Sequence, residues 1–192
     1  DADADGVVDY LFVGHAGDGE EFTGAPGDIY SHSGTIPGGV AVDGVTVTNF
    51  ILVPESASLG LLAHEFGHAL GLPDLYNTTT GNPVVGEWDL MDQGMWNGIL
   101  PGQTPALPTA WQKILLGWVT PETLYHQNHV NAVLGPCADT PAVVKMAAGD
   151  SEYFLIENRQ FLGYDLRLPN EGLLVWHCDD RIGSLAGNDL NS

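Results

Sequence analysis

Apolar and polar positions along this chain change period several times, and each change predicts an element. The run VVDYLFVG (7–14) is β-branched and aromatic and predicts a strand. Residues 15–40 are rich in Gly, Asp and Ser, show little periodicity, and read as a long loop. The stretch VAVDGVTVTNFILV (40–53) alternates on both sides of Asp43-Gly44, a dipeptide that favours a tight hairpin turn. The spacing then lengthens. Leu59, Leu62, Ala63, Phe66 and Leu70 recur at three and four residues and predict a helix with that stripe buried. Pro54 with Ser56 or Ser58 supplies its start, and Gly71 a left-handed stop. Residues 77–108, rich in Asn, Thr, Gly and Pro, read mostly as loop. PTAWQKILLGWV (108–119) predicts a second helix, capped by Thr109, with Trp111, Ile114, Leu115 and Trp118 on one face. Beyond about residue 126, NAVLGPC, PAVVKMA, EYFLIENR and GLLVWHC are short β-like runs between turn residues, an antiparallel β-rich segment. The fold class is α+β: a core over 1–125, then a β-rich segment over 126–192 that extends it or begins a second domain.

Composition narrows the function classes. The 192 residues suit one compact domain or a domain with a small satellite. Five Lys+Arg face 25 Asp+Glu, a formal charge of −20. That balance excludes the basic patches that nucleic acids and anionic membranes need, and it favours cations such as calcium. No apolar run approaches the roughly 18 residues of a membrane-spanning helix, and no signal peptide is present. The chain opens on Asp1 inside an acidic motif and stops at Ser192, so it reads as a piece of a longer precursor or multidomain protein. Cys137 and Cys178 could form one disulfide, worth about 3–4 kcal/mol in a secreted protein, or remain two free thiols.

The candidate chemistry sits in HEFGHALGLPDLY (64–76). On a helix, His64 and His68 are one turn apart and project together, away from the apolar stripe. Two imidazoles so placed can hold one zinc ion. Glu65 lies about 100° round the helix, where it reaches a water in the metal's open position and serves as its general base. A catalytic zinc keeps three protein ligands. Gly71 permits a sharp reversal, Pro73 stiffens the approach, and Asp74 follows as the third ligand, with Glu87 and Asp89 as alternatives. Tyr76 is a candidate for stabilising the oxyanion. The bland reading is a helix with two exposed histidines and a solvated glutamate. The reading that follows is a zinc-dependent endopeptidase. Its rivals are a secreted, metal-stabilised adhesive or carbohydrate-binding module without catalysis, and a metallohydrolase acting on something other than peptides. The strand near 8–14 or 40–53 is expected to offer an edge to an extended peptide.

HEFGHALGLPDLY, EWDLMDQGMWNG (87–98) and PTAWQKILLGWVTP (108–121) together resemble the immune inhibitor A family of secreted bacterial zinc metallopeptidases. YFLIENRQFLGYDLRLPNEGLLVWHCDD (153–180) resembles that family's downstream β-rich part. The resemblance covers most of the chain from about 60 to 180. It implies a metzincin-like catalytic domain with a small mixed sheet and an active-site helix, zinc as cofactor, protein or peptide substrates, and an extracellular location. It also implies that a methionine-containing turn passes beneath the metal, a place that Met91 fits and for which Met95 competes. Most metzincins have histidine as third ligand, where this chain has Asp74.

DADADGVVD (1–9) places carboxylates at Asp1, Asp3, Asp5 and Asp9, with Gly6 between. Alternating oxygens with a glycine at the sixth position are the start of a calcium loop. Phe12 stands where such a loop carries glutamate, so the calcium reading competes with a frayed acidic terminus. His15, His32, His126, His129 and His177 read as surface or satisfied core residues, and Glu157 and Arg159 as structural polar contacts. No Gly-x-Ser-x-Gly is present, and neither cysteine has a nucleophile's context.

Overall fold

The structure, a computed structural model, describes residues 3–124 and 133–181. His126 and His129 therefore lie outside the described residues. The first sheet is built around one strand. β4 (Val45–Pro54) takes β1 (Val7–Val8) and β2 (Leu11–His15) in parallel on one edge and β3 (His32–Val42) antiparallel on the other. β1 and β2 keep a single register against β4 and form one strand interrupted at Asp9-Tyr10. Asp43 and Gly44 both have positive φ, 51° and 89°, and close the expected two-residue hairpin. Two expectations are corrected. Residues 32–40 are strand, not loop: their pairing is supplied by β4, and the Gly38-Gly39 irregularity between Thr35 and Val40 hides the alternation. The stretch 45–54 is paired on both sides, so among the described residues the free edges are those of β3 and of the interrupted β1–β2 strand, which includes the expected 8–14.

A single-turn α1 (Glu20–Thr23) interrupts the expected 15–40 loop. α2 (Leu59–Ala69) begins at Ser58, whose hydroxyl accepts from Leu61 N. It ends in a left-handed Gly71 (φ 93°), with Leu72 N bonded to Gly67 O and Gly71 N to His68 O. That pair of bonds is the Schellman arrangement. The buried face differs from the expected one. Leu59, Phe66 and Leu70 are 45%, 44% and 42% exposed, while His64 and Glu65 are each 4% exposed. Glycine explains the exchange. A Cβ at Gly60 would collide with the Met95 carbonyl, and one at Gly67 would lie 2.5 Å from Met91 Sδ. The histidine side of α2 is thus pressed against the segment 91–102. The apolar stripe is only partly covered, in part by Phe12 of β2 stacking on Phe66 at 6.0 Å.

The segment after α2 lacks long elements but is tightly bonded. Two single-turn helices, Gly86–Trp88 and Gln93–Trp96, flank a fully buried pair of acids. Asp92 Oδ2 accepts from Val84, Val85 and Gly86 N, each at 2.8 Å, and Oδ1 from Gln93 N. Asp89 accepts from Met91 N and Thr109 N, both at 2.6 Å. The Gln112 amide nitrogen, turned toward it, donates to Oδ2 at 2.7 Å and Oδ1 at 3.1 Å. Thr109 caps α3 (Ala110–Leu115), which is shorter than the expected helix because Gly117 turns left-handed at φ 71°.

The second sheet runs β5 (Glu122–Leu124), β6 (Val144–Ala147), β7 (Glu152–Arg159), β8 (Gly172–Asp179), parallel between β5 and β6 and antiparallel thereafter. The runs 144–147, 152–159 and 172–179 are strands as expected; the described part of NAVLGPC contributes only a bridge from Pro136 to Asn158. α3 packs on this sheet through Ala110, Val119, Val143, Tyr153 and Leu155. Glu157, Arg159 and Asp165 are fully buried there. Glu157 accepts from Lys113 Nζ (2.9 Å), Trp176 Nε1 (2.9 Å) and Ala110 N (3.1 Å). Arg159 clasps Asp165 through Nε and Nη2 at 2.7 and 2.6 Å. A buried charge is tolerated only when its lone pairs and protons are met, and two of the chain's five Lys and Arg residues are committed here. Glu157 and Arg159 are the structural contacts the sequence suggests. Cys137 and Cys178 are free thiols: Cys137 Sγ donates to Asp165 at 3.5 Å, and Cys178 packs against the Tyr153 cluster. Helices and strands are segregated along the chain, an α+β architecture.

Burial pushes the Asp89 carboxyl up to about 6, against the pull of the Met91 and Thr109 N–H groups. Gln112 can meet either form, donating its amide N–H to the carboxylate or accepting from the acid through its oxygen. The folded value exceeds the ordinary aspartate value, so the folded state binds the proton more tightly. Stability from this group is complete below about pH 4 and is lost as pH rises through about 6, roughly 3 kcal/mol in all. Urea unfolding of wild type and Asp89→Asn across that range should show the wild type losing stability relative to the variant. Parallel pH profiles would mean that Asp89 does not titrate there.

Candidate metal centre

His64 and His68 leave the same face of α2, and Asp74 returns to them after the Gly71 reversal. Among the described residues these three form the one cluster whose ligand atoms lie close enough to share an ion, all within 4.8 Å of one another. His64 Nε2 is 3.2 Å and His68 Nε2 3.3 Å from Asp74 Oδ1. The rings stand nearly perpendicular, at 86°, with centroids 4.8 Å apart.

The opposite nitrogens explain why the rings face this way. His64 Nδ1 donates to the Leu90 carbonyl at 3.0 Å, and His68 Nδ1 to the Leu72 carbonyl at 2.8 Å. A carbonyl only accepts, so each Nδ1 must carry hydrogen, and a neutral ring then offers a lone pair at Nε2. The Leu72 carbonyl is delivered by the turn that ends α2. The Leu90 carbonyl lies between Asp89 and Met91, in the segment that the buried acids hold.

Three acceptor atoms thus converge, an arrangement that imidazole protons or a cation can bridge. The structure answers partly with protons. Burial would raise the Asp74 carboxyl, but the two imidazoles hold it well below the usual carboxylate range. Burial lowers His68, yet Asp74 outweighs it and the ring is raised. A divalent metal satisfies the same cluster without protons. Zinc bonds of about 2.0–2.1 Å at tetrahedral angles separate ligand atoms by about 3.3 Å, which matches 3.2 and 3.3 Å. The donor set of two imidazoles and one carboxylate, each ring oriented by a backbone carbonyl, fits such an ion.

Glu65 is buried beside the cluster, and its Oε2 has no hydrogen-bond partner among the described residues. Burial raises its carboxyl above the ordinary value, partly countered by the His64 and His68 charges. A buried oxygen needs a donor, at a cost of about 1–3 kcal/mol if none is supplied, and this one lines a cleft where a water can supply it. The cluster opens into that cleft of about 510 Å³, bordered by Ser31 and residues 32–35 of β3, by Tyr10, Tyr30 and Tyr76, and by Trp96.

Other candidates are placed as follows. Met91 is fully buried under α2, against Gly67, and packs with Leu72, Leu75 and Leu90; Met95 is buried nearby and also reaches the cleft. Tyr76 lines the cleft and hydrogen-bonds Asp74, and burial raises its phenol well above the ordinary value. Glu87 is exposed and Asp89 is held beneath the floor, so neither joins the cluster. At the acidic start, Asp3 accepts from Asp5 N and Asp5 from Val7 N. Asp1 lies outside the described residues, and Asp3, Asp5 and Asp9 are not brought together as a ligand group. Sequence reasoning gave no site role to Tyr10, inside the first strand run, and overlooked Tyr30 and the 32–35 strand, whose only signal was a tyrosine and a serine-rich run inside a stretch without periodicity.

Comparison with known proteins identifies the family. The model of the immune inhibitor A peptidase M6 catalytic domain matches residues 1–118. The chain is 37% identical over 119 residues to Immune inhibitor A of Bacillus thuringiensis subsp. alesti, covering 53% of this chain and 17% of that protein. It is 34% identical over 130 residues to the Pre-pro-metalloprotease PrtV of Vibrio cholerae serotype O1 (strain M66-2), covering 58% and 14%. The matched stretch therefore spans about a sixth of these relatives. With more than half of its length matched by the family model and its two histidines, glutamate and aspartate gathered in one cleft, the chain belongs to the immune inhibitor A peptidase M6 family, catalytic domain.

Proposed function

We propose that this chain carries the catalytic centre of a zinc-dependent endopeptidase, with His64, His68 and Asp74 as metal ligands and Glu65 as general base. The observation that carries the reading is the pairing of three convergent acceptor atoms with an unsatisfied buried carboxylate at the base of one cleft. A zinc ion held there supplies Lewis acidity, acidifying a water and polarising a carbonyl. The chain's own residues do the rest. Residues 32–35, on a free edge of β3, receive an extended peptide as an added strand. Glu65 Oε2 takes a proton from the attacking water as the water oxygen bonds to the carbonyl carbon. The same carboxyl passes that proton to the amine nitrogen as the C–N bond breaks. Met91 pads the floor beneath the histidines, and the Gly71 reversal followed by Asp74 is the metzincin-like part of the design. Residues 126–192 are proposed to extend the catalytic domain, since Glu157 and Arg159 tie their sheet to α3 and to Leu107. An extracellular location goes with the secreted peptidases that the family contains. Calcium at Asp1, Asp3, Asp5 and Asp9 is a further proposal.

Glu65→Gln should keep zinc and the fold while lowering kcat on casein or a model peptide by at least about 10³-fold. Undiminished cleavage would contradict the assigned base, and zinc binding without any hydrolysis in the wild type would favour a metal-stabilised binding module instead. Asp74→Ala should weaken zinc by about 100-fold or more in competition with a chromophoric chelator; metal content equal to wild type at nanomolar free zinc would assign the third bond elsewhere. Addition of millimolar calcium to calcium-free, zinc-loaded protein should raise its melting temperature by several degrees, and an unchanged midpoint would remove calcium from the acidic start.

A further inference from the structure

Two phenols line the cleft beside the ligand cluster, one two residues after Asp74 and one on the loop that leads into β3. Their hydroxyls differ in what remains to them. A phenol has a single hydrogen to give. Tyr76 is half-buried and hydrogen-bonds the Asp74 carboxylate, so its hydrogen is committed to a metal ligand. Tyr30 is 54% exposed, and no described group accepts from its hydroxyl.

Tyr30 is nonetheless held in place on both sides. Glu21 accepts from Ser31 N at 3.2 Å and from Ser31 Oγ at 2.6 Å, and Ser31 is buried. Ile29 O accepts from Glu20 N at 3.2 Å. The Tyr30 carbonyl accepts from His32 Nδ1 at 2.8 Å, and that ring is braced edge-on against Phe50. Its side chain therefore enters the cleft from a pinned backbone, close enough to sense both Glu65 and Asp74. Burial and those carboxylates, with Glu21 and Glu20, raise its phenol above the ordinary value, so at neutral pH it is a donor.

We propose that Tyr30 is the oxyanion donor of this centre and that Tyr76 is a positioning residue for Asp74. As the water oxygen bonds to the carbonyl carbon, the π pair moves onto the carbonyl oxygen, and the Tyr30 O–H donates a hydrogen bond to that oxygen. Tyr30 keeps its proton throughout; the transferred proton travels on Glu65. Such donors act because they are fixed before charge develops. The inference rests on the peptidase reading above.

The test uses zinc-loaded Tyr30→Phe and Tyr76→Phe, with three readouts: steady-state kinetics on a model peptide, calorimetric affinity for a phosphinic peptide, and zinc retention against a chelator. The phosphinate carries tetrahedral, charged oxygens that mimic the oxyanion. Tyr30→Phe should lower kcat by about 100-fold with KM and zinc retention unchanged, and weaken the phosphinic peptide by a comparable factor. Tyr76→Phe should loosen zinc by about 10-fold. A Tyr30→Phe protein with wild-type kcat and wild-type phosphinate affinity overturns the proposal, as does one whose only defect is zinc loss. If Glu65→Gln is inert while Tyr30→Phe is fully active, the peptidase reading stands and the role of Tyr30 falls. If Glu65→Gln is as active as wild type, the peptidase mechanism fails first.

Discussion

Two backbone carbonyls decide what α2 can do. Each takes the Nδ1 hydrogen of one imidazole, at Leu90 and at Leu72, and so turns the Nε2 atoms toward Asp74. Without those acceptors a histidine one turn from another is merely a polar residue with a rotating ring. With them the tautomer and the ring plane are both set, and both Nε2 atoms face one carboxylate oxygen. Everything that positions the Leu90 and Leu72 carbonyls is therefore part of the centre, however remote from the cleft.

The Leu72 carbonyl is supplied locally, by the left-handed turn at Gly71. The Leu90 carbonyl depends on a longer chain of contacts. It lies in a segment without regular structure, which Asp92 gathers with three backbone N–H groups and Asp89 fastens to Thr109 and Gln112. Thr109 opens α3, and α3 is fixed to the second sheet through Glu157, which Lys113 and Trp176 satisfy. A buried carboxylate saturated by backbone donors here does the work that apolar packing does elsewhere. It specifies one conformation of a glycine-rich loop, because every misplaced donor would leave a charged oxygen unmet.

The same economy shapes the cleft. Glycine at 60 and 67 lets the floor approach α2 so closely that its polar face is the covered one. Desolvation then acts on Glu65 and Asp74 alike, with opposite results. Asp74 has two imidazoles to lean on and drops below the ordinary carboxylate range, while burial prevails at Glu65 and lifts it. Two carboxylates in one cleft are thereby separated, one held in its charged form and one raised above the ordinary value.

Much of this was legible from residue order, for a physical reason: it is governed by bonds between near neighbours. The Asp43-Gly44 hairpin, the Ser58 cap, the Gly71 stop and the one-turn spacing of His64 and His68 depend on a few adjacent dihedral angles, and the sequence by itself determined them. So did the clustering of metal-capable groups within eleven residues, from His64 to Asp74. Tertiary structure decided what depends on partners far along the chain. It made 32–40 a strand by lending it β4, and buried the histidine face of α2 against residues 91–102 where periodicity alone pointed to the leucine stripe. It also set Asp89 under the floor and brought Tyr30 to the cleft, since neither a carboxylate's donors nor a phenol's neighbours are written in the residues beside it.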